Sequence, residues 1–246
     1  MLYSLDDIKK GVQEGDFLLL AKSISHLENN EEGSVDFINK IPNAKIPVVG
    51  ITGPPGAGKS TLIASLVGKM VEQGNKVAVV SVDPSSVVHK GALLGDRIRM
   101  REWYLHPSVF IRSLATRGHL GGLVISIKQI VKLLQTVGFD FVILETVGVG
   151  QSEVQVAEVA FPTLLVLVPE AGDDIQMMKS GLFEVATIFV VNKTDRPEAQ
   201  KFVNHLKQNL AERVAGEINT QLVQTIANTG EGVGELLTVI KSYHES

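Results

Sequence analysis

Apolar positions along this chain follow two successive periods, and the change between them divides the sequence. Over residues 1–45 they recur at helical spacing. Leu2, Leu5, Ile8 and Val12 share one helical face, and Gly15-Asp16 interrupts it, with Asp16 as N-cap of a second helix, Phe17–Glu28. A third short helix is expected from Glu31 to Lys40, ahead of Pro42. From Ile46 onward, short continuous apolar runs alternate with amphipathic segments. The runs are the stretch ending at Thr52, then Lys76–Val82, Val109–Ser113, Phe141–Leu144, Leu164–Val168, Ile188–Val191 and Leu222–Ile226. Helical periods lie between them at Leu62–Met70, Leu93–Tyr104, Val124–Val137, Ile175–Val185, Pro197–Val214 and Val233–Tyr243. Thr116-Arg117-Gly118 and Gly121-Gly122 are expected to flank a loop before the third of these. Continuous apolar strands separated by helices predict a three-layer α/β fold, with a mostly parallel sheet of about seven strands. Residues 1–45 read as a short helical segment packed on one domain, 46–246.

Composition narrows the setting. The apolar share of 44% and charged share of 20% are ordinary for a globular protein. The longest apolar runs are strand-sized, far short of the roughly 18 residues a bilayer span needs. The first ten residues carry Asp6, Asp7, Lys9 and Lys10 and lack the apolar core of a secretory signal. With 23 basic and 27 acidic residues, charge gives no nucleic-acid footprint. Cysteine is absent, which excludes disulfides and thiolate metal sites and fits a reducing cytoplasm. The six histidines show no ligand spacing, which argues against a histidine metal store. A cytoplasmic protein with neither membrane nor nucleic acid as partner is expected.

The chemistry lies at strand ends. Gly53-Pro54-Pro55-Gly56-Ala57-Gly58-Lys59-Ser60, followed by Thr61, matches G-x-x-x-x-G-K-[ST] between a strand and a helix. Glycines let backbone N–H groups converge on phosphate oxygens while the helix start directs its positive end at the same charge. Lys59 is expected to reach the β- and γ-phosphates, and Ser60 to ligate Mg²⁺. Asn192-Lys193-Thr194-Asp195 closes a buried strand with N-K-x-D. The Asp195 carboxylate can accept from both N1–H and the exocyclic amine of guanine. Adenine would face it with a lone pair and leave it unpaired, which polar sites reject strongly. The Ala227 N–H, just past the last strand, is a candidate for the guanine carbonyl. Glu145 ends a strand where a Walker-B carboxylate would hold Mg²⁺ through water, and the Gly148 N–H could sense the γ-phosphate. Asp83 and Asp96 are further carboxylates for the metal or the attacking water. Arg97, Arg99, Arg101, Arg112, Arg117 and Lys179 are candidates to offset transition-state charge. Room for two strand–helix units between Ser60 and Glu145 suggests, by analogy of fold, the SIMIBI class of P-loop GTPases.

Longer blocks carry a family resemblance. GPPGAGKS at Gly53–Ser60, VDPSS at Val82–Ser86, LLGDRIRM at Leu93–Met100 and IRSLATRGHLGG at Ile111–Gly122 lead the series. ETVGVGQSE at Glu145–Glu153, AGDDIQ at Ala171–Gln176 and the N-K-x-D at Asn192–Asp195 complete it. In this order they resemble the MeaB/ArgK family of P-loop GTPases, which includes the methylmalonic aciduria type A protein. The resemblance implies a GTPase that uses GTP, GDP and Mg²⁺ while chaperoning an adenosylcobalamin-dependent acyl-CoA mutase, with room for an adenosyltransferase as second partner. Carried over by position, Lys59 and Ser60 bind phosphate and Mg²⁺, and Asp83, Asp96 and Glu145 belong to the metal and water shell. Asn192 and Asp195 read guanine. Residues 146–153 and 171–179 match two switch loops, with Lys179 a candidate for stimulated hydrolysis. Family members usually continue past the last sheet-packing helix into a dimerisation extension; because this chain stops at Ser246, a homodimer stays open but is not expected by that route. Ile226 departs from the small polar residue many GTPases place before the alanine. A P-loop kinase and a metal-insertion GTPase are the alternatives, and N-K-x-D with E-x-x-G favours GTP and water over both.

Overall fold

Apolar runs fill most of the strands of this chain, and that governs how they assemble. Residues 3–83, 100–115, 120–146, 158–169, 181–214 and 220–244 are described by the structure, a computed structural model. Among them are β1 (Val48–Thr52), β2 (Val77–Asp83), β3 (Val109–Ala115), β4 (Phe141–Thr146), β5 (Thr163–Leu167), β6 (Ile188–Asn192) and β7 (Gln221–Thr225). They form one seven-stranded sheet in the order β3-β2-β4-β1-β5-β6-β7. The β1–β5, β2–β3, β5–β6 and β6–β7 pairs are all parallel. Val77–Val80, Val142–Leu144 and Ile188–Val191 are fully buried on both faces, as a parallel sheet covered by helices requires. The chain divides into two compact units, residues 1–48 with 70–145, and residues 49–69 with 146–246.

The first unit carries the N-terminal helices α1 (Leu5–Glu14), α2 (Leu18–Glu28) and α3 (Ser34–Lys40). Ser4 caps α1 by accepting the Asp7 N–H at 3.1 Å, and Ile8 and Val12 turn into the core. The Asp16 carboxylate accepts the Leu18 N–H at 2.9 Å, the expected capping bond, although Phe17 is the last residue before the helix. Phe17, Phe110 and Phe139 cluster with centroids 5.5–6.2 Å apart, in the range where aromatic pairs add to simple burial. Polar bonds tie the helices to this unit. Lys76 Nζ donates to the carbonyls of Val12 and Gln13 at 2.7 and 2.8 Å, at the end of α1 where the helix dipole favours a cation. Arg112 on β3 donates to Ser25 Oγ at 3.0 Å and pairs with Glu28 at 3.1 Å. The long helix α5 (Leu120–Thr136), which contacts α2 and α3, donates from Lys132 to Ile38 O and from Gln135 to Ile46 O.

Two local expectations are corrected here. Gly121 and Gly122 lie inside α5, which begins four residues before the expected Val124. Glycine's low helix propensity amounts to only about 1 kcal/mol per residue, which packing of Ile127, Ile130, Val131 and Leu134 overrides. Residues 100–104, expected to finish a helix begun at Leu93, form turns. Their bonds, Trp103 N–H to Met100 O and His106 N–H to Trp103 O, span three residues, and Pro107 follows at once. Residues 93–99 of that expected helix, and 175–180 of the one leading to Val185, lie outside the described residues.

The part of α4 (Lys59–Glu72) that lies in the second unit buries Leu62, Ile63, Leu66 and Val67. Leu165 and Leu167 of β5 share a face with Phe189 and Val191 of β6, the alternation a strand imposes. That face packs against Phe202, Val203, Leu206 and Leu210 of α7 (Ala199–Val214) and Leu182 of α6 (Gly181–Val185). Helix α8 (Val233–Ser242) buries Val233, Leu236, Leu237 and Ile240 at helical spacing. Among the described residues, no helix is long and apolar enough to cross a membrane.

Candidate nucleotide site

The glycine-rich loop takes its shape from positions no other residue fits. Gly53 leaves β1 at φ +140°, and a Cβ there would strike the Val166 carbonyl on β5. Gly58 has φ +87°, and its Cβ would lie 2.5 Å from Asn192 Nδ2. The loop is thus bent over its own strand end and pressed against β6. Lys59 opens α4, and its ammonium donates to the carbonyls of Gly53 at 2.7 Å and Pro54 at 3.1 Å. Those carbonyls hold the charge across the loop, with Lys59 only 8% exposed and Ser60 5%. A helix start, a glycine-bent loop and a held cation together suit a polyphosphate.

The N-K-x-D strand end is joined to this loop. Asn192 is 1% exposed, and its Nδ2 donates to the Ala57 carbonyl at 2.9 Å. Its Oδ1 accepts from Thr225 Oγ1 at 3.2 Å and from the Ala227 N–H at 3.1 Å. Lys193 adopts a left-handed backbone, φ +60°, and its Nζ donates to Gly56 O at 2.8 Å. Strained backbone of this kind persists where the surroundings over-determine it. Beside these bonds opens a cavity of about 100 Å³ lined by Gly58, Thr61, Asn192, Lys193, Asp195, Ala227 and their neighbours Arg196, Ile226 and Asn228.

In the first unit, Glu145 stands next to last in β4 at 2% exposure and accepts from Ser81 Oγ at 3.1 Å. Asp83 ends β2 in register with Ala115 of β3. Arg112 is turned to α2, as above, and Arg101 is exposed. Asp96, Gly148, Lys179, Arg97, Arg99 and Arg117 lie outside the described residues. Sequence reasoning missed Thr225, Ser81 and the buried hydroxyl pair Thr146–Thr52, in which Thr146 Oγ1 donates to Thr52 Oγ1 at 2.9 Å. All but Ser81 are the last residue of their strand, so a threonine closing a strand was the available signal.

A parallel α/β sheet with a glycine-bent lysine loop bonded to an N-K-x-D strand end defines a P-loop GTPase. The family described as Methylmalonyl Co-A mutase-associated GTPase MeaB matches residues 20–246, and the chain belongs to that family. A Pyrococcus abyssi protein bearing a GTPase name is 42% identical over 249 residues, covering 98% of this chain and 76% of its own length. The mouse methylmalonic aciduria type A homolog, mitochondrial, is 37% identical over 202 residues, covering 79% of this chain and 48% of its own length. Escherichia coli GTPase ArgK is 37% identical over 190 residues, with coverage of 75% and 57%. This chain therefore spans about half the length of the last two relatives. Among solved structures, one titled LAO/AO transport system kinase aligns with a TM-score of 0.73 and 25% identity, covering 97% of this chain and 74% of that one. Helicobacter pylori HypB, solved in complex with nickel, shares the fold with a TM-score of 0.59 at 17% identity, covering 90% and 97%.

Proposed function

We propose that this GTPase binds and hydrolyses GTP to gate cofactor loading, protection or reactivation of an adenosylcobalamin-dependent acyl-CoA mutase. The observation that carries the guanine reading is the Asn192 side chain, which bonds the phosphate loop at Ala57 and the last strand end at Ala227. Base recognition and phosphate recognition are thereby coupled through one buried amide. In this reading Asp195 accepts from the guanine N1–H and amine in the cavity it lines, with Asn192, Lys193 and Ala227 shaping the walls. Lys59 draws β- and γ-phosphate charge toward the loop, where preorganised donors act at no reorganisation cost. Ser60, Asp83 and Glu145 offer hydroxyl and carboxylate oxygens, the hard donors Mg²⁺ prefers, and would hold it together with Asp96. Bound there, Mg²⁺ would neutralise charge on the β- and γ-phosphate oxygens. Gly148 and Lys179 complete the proposed set as γ-phosphate sensor and stimulated-hydrolysis residue. The mutase as client is supported by the family's description and by the mouse relative's name. An adenosyltransferase is a consistent second partner, and the cysteine-free composition suits a reducing cytoplasm.

The test is phosphate release from γ-labelled GTP, with and without a purified adenosylcobalamin-dependent mutase. A slow basal rate that rises at least about tenfold with saturating mutase is expected, as when a partner orders catalytic groups. Equal kcat values would sink the coupling. Because one similar structure is titled a kinase, the label's destination matters as well. Label on an acceptor molecule in place of inorganic phosphate would favour a kinase, and stoichiometric bound metal would favour a metal-insertion role.

A further inference from the structure

Ser81 comes one position before the VDPSS block and belongs to none of the sequence motifs, yet its hydroxyl is bonded to a residue proposed to hold Mg²⁺. It lies in β2 at 8% exposure, and its Oγ donates to Glu145 Oε2 on β4 at 3.1 Å. Glu145 is 2% exposed. The two residues stand 64 positions apart in the chain, and only the order of the sheet, in which β2 and β4 are neighbours, brings them together.

A glutamate carboxylate hangs on three torsions, and the last of them is broad and two-fold. The side chain therefore does not itself fix where its oxygens point. Serine has one torsion, and the backbone of Ser81 is held on both sides, by β3 and by β4. Its hydroxyl is thus a donor fixed to a rigid element, and it sets the direction of Oε2 before any ligand arrives. Because a carboxylate is planar, fixing one oxygen fixes the other with it. Mg²⁺ gains from such placement, since it tolerates little departure from octahedral oxygen geometry. Removing a group that orients a metal's ligands commonly lowers metal affinity about ten- to a hundredfold, although the group never touches the metal.

We propose that Ser81 is a positioning residue for Mg²⁺ binding: its hydroxyl aims the Glu145 carboxylate that would help to hold the ion. This rests on the metal role proposed for Glu145 above. Ser81 acts through that carboxylate, so its effect falls on the metal and not on nucleotide bound without it.

The test is the factor by which Mg²⁺ tightens binding of a non-hydrolysable GTP analogue, taken from calorimetric Kd values with Mg²⁺ and with EDTA. In Ser81→Ala that factor should shrink about tenfold, while the Kd in EDTA stays within about twofold of the parent's. Ser81→Thr keeps the hydroxyl and should restore the factor. In a Glu145→Ala background the same Ser81→Ala change should add nothing, because the carboxylate it acts through is gone. An unchanged factor in Ser81→Ala, a threonine variant as poor as alanine, or a further loss in the Glu145→Ala background would overturn the assignment. So would an equal weakening in EDTA, the mark of a general effect on the fold. If the alanine variant does not fold, Ser81→Cys, near serine in size and a weaker donor, should shrink the factor in its place, and an undiminished factor there counts against the assignment. A Glu145→Ala variant with the parent's full Mg²⁺ factor would instead defeat the metal reading of Glu145 itself, which separates the two failures.

Discussion

Lys59 is the residue whose geometry speaks most directly to chemistry. Its ammonium is held by two loop carbonyls, Gly53 and Pro54, so it is preorganised before any phosphate arrives. Lys59→Ala should lower GTPase kcat/KM by about a hundredfold or more, by the scale of one lost transition-state donor. Steady-state phosphate release checks this, and retained turnover would remove Lys59 from its proposed role. Asp195→Asn should weaken GTP binding by about a hundredfold, since a charged hydrogen-bonding pair is lost. The new amide can donate to the C2 carbonyl of xanthine, so xanthosine triphosphate should gain affinity; competition binding of the two nucleotides reads the exchange. Much of this site was legible in the sequence because Gly53–Ser60 and Asn192–Asp195 are contiguous and each residue type answers one local need. The bonds that unite them were not legible. Lys193 to Gly56 and Asn192 to Ala57 join residues more than a hundred positions apart, and no local pattern encodes that reach.

Among the elements, β1, β4, β5 and β6 were legible because each is buried throughout, leaving no helical period to compete. The helix ends were harder. Gly121 and Gly122 signal a loop by propensity, but the apolar stripe that follows carries α5 back across them. The attachment of α2 to β3 rests on Arg112, whose side chain is 28% exposed, against Glu28 at 17%. Glu28→Gln should weaken that attachment, and Arg112→Ala should lower unfolding free energy by about 2 kcal/mol, since each partner is left partly buried without its counter-charge. Urea denaturation measures both, and unchanged midpoints would show the pair to be idle. The end of α8 carries a pH dependence. Burial raises the Tyr243 pKa above its ordinary 10.0, while its phenol donates to Thr187 O at 3.3 Å. Stability from Tyr243 is therefore complete below pH 10.0 and is lost as pH rises through the raised folded value. Burial lowers the His244 pKa below its ordinary 6.5, so its contribution is complete above pH 6.5 and is lost as pH falls through the lowered value. Thermal midpoints across pH should fall on both limbs, and Tyr243→Phe should flatten the alkaline one.

At the scale of the whole molecule, the family match starts at residue 20, inside α2, and leaves α1 out. The way α1 is fastened bears on this. Lys76 grips it through the carbonyl oxygens of Val12 and Gln13, and the following segment is held likewise through the carbonyls of Ile38, Pro42 and Ile46. Every residue carries such an oxygen, so these bonds ask nothing of the side chains they hold. Replacing Asp6, Lys10 and Gln13 together by alanine should leave the thermal midpoint nearly unchanged. Lys76→Met should reduce stability by about 2 kcal/mol, the scale of two lost bonds to a charged donor. The attachment is thus heritable on one side only. Descendants can rewrite the exposed positions of α1 without negotiating with the GTPase beneath it, provided Ile8 and Val12 stay apolar, the chain still coils there and Lys76 still reaches its end.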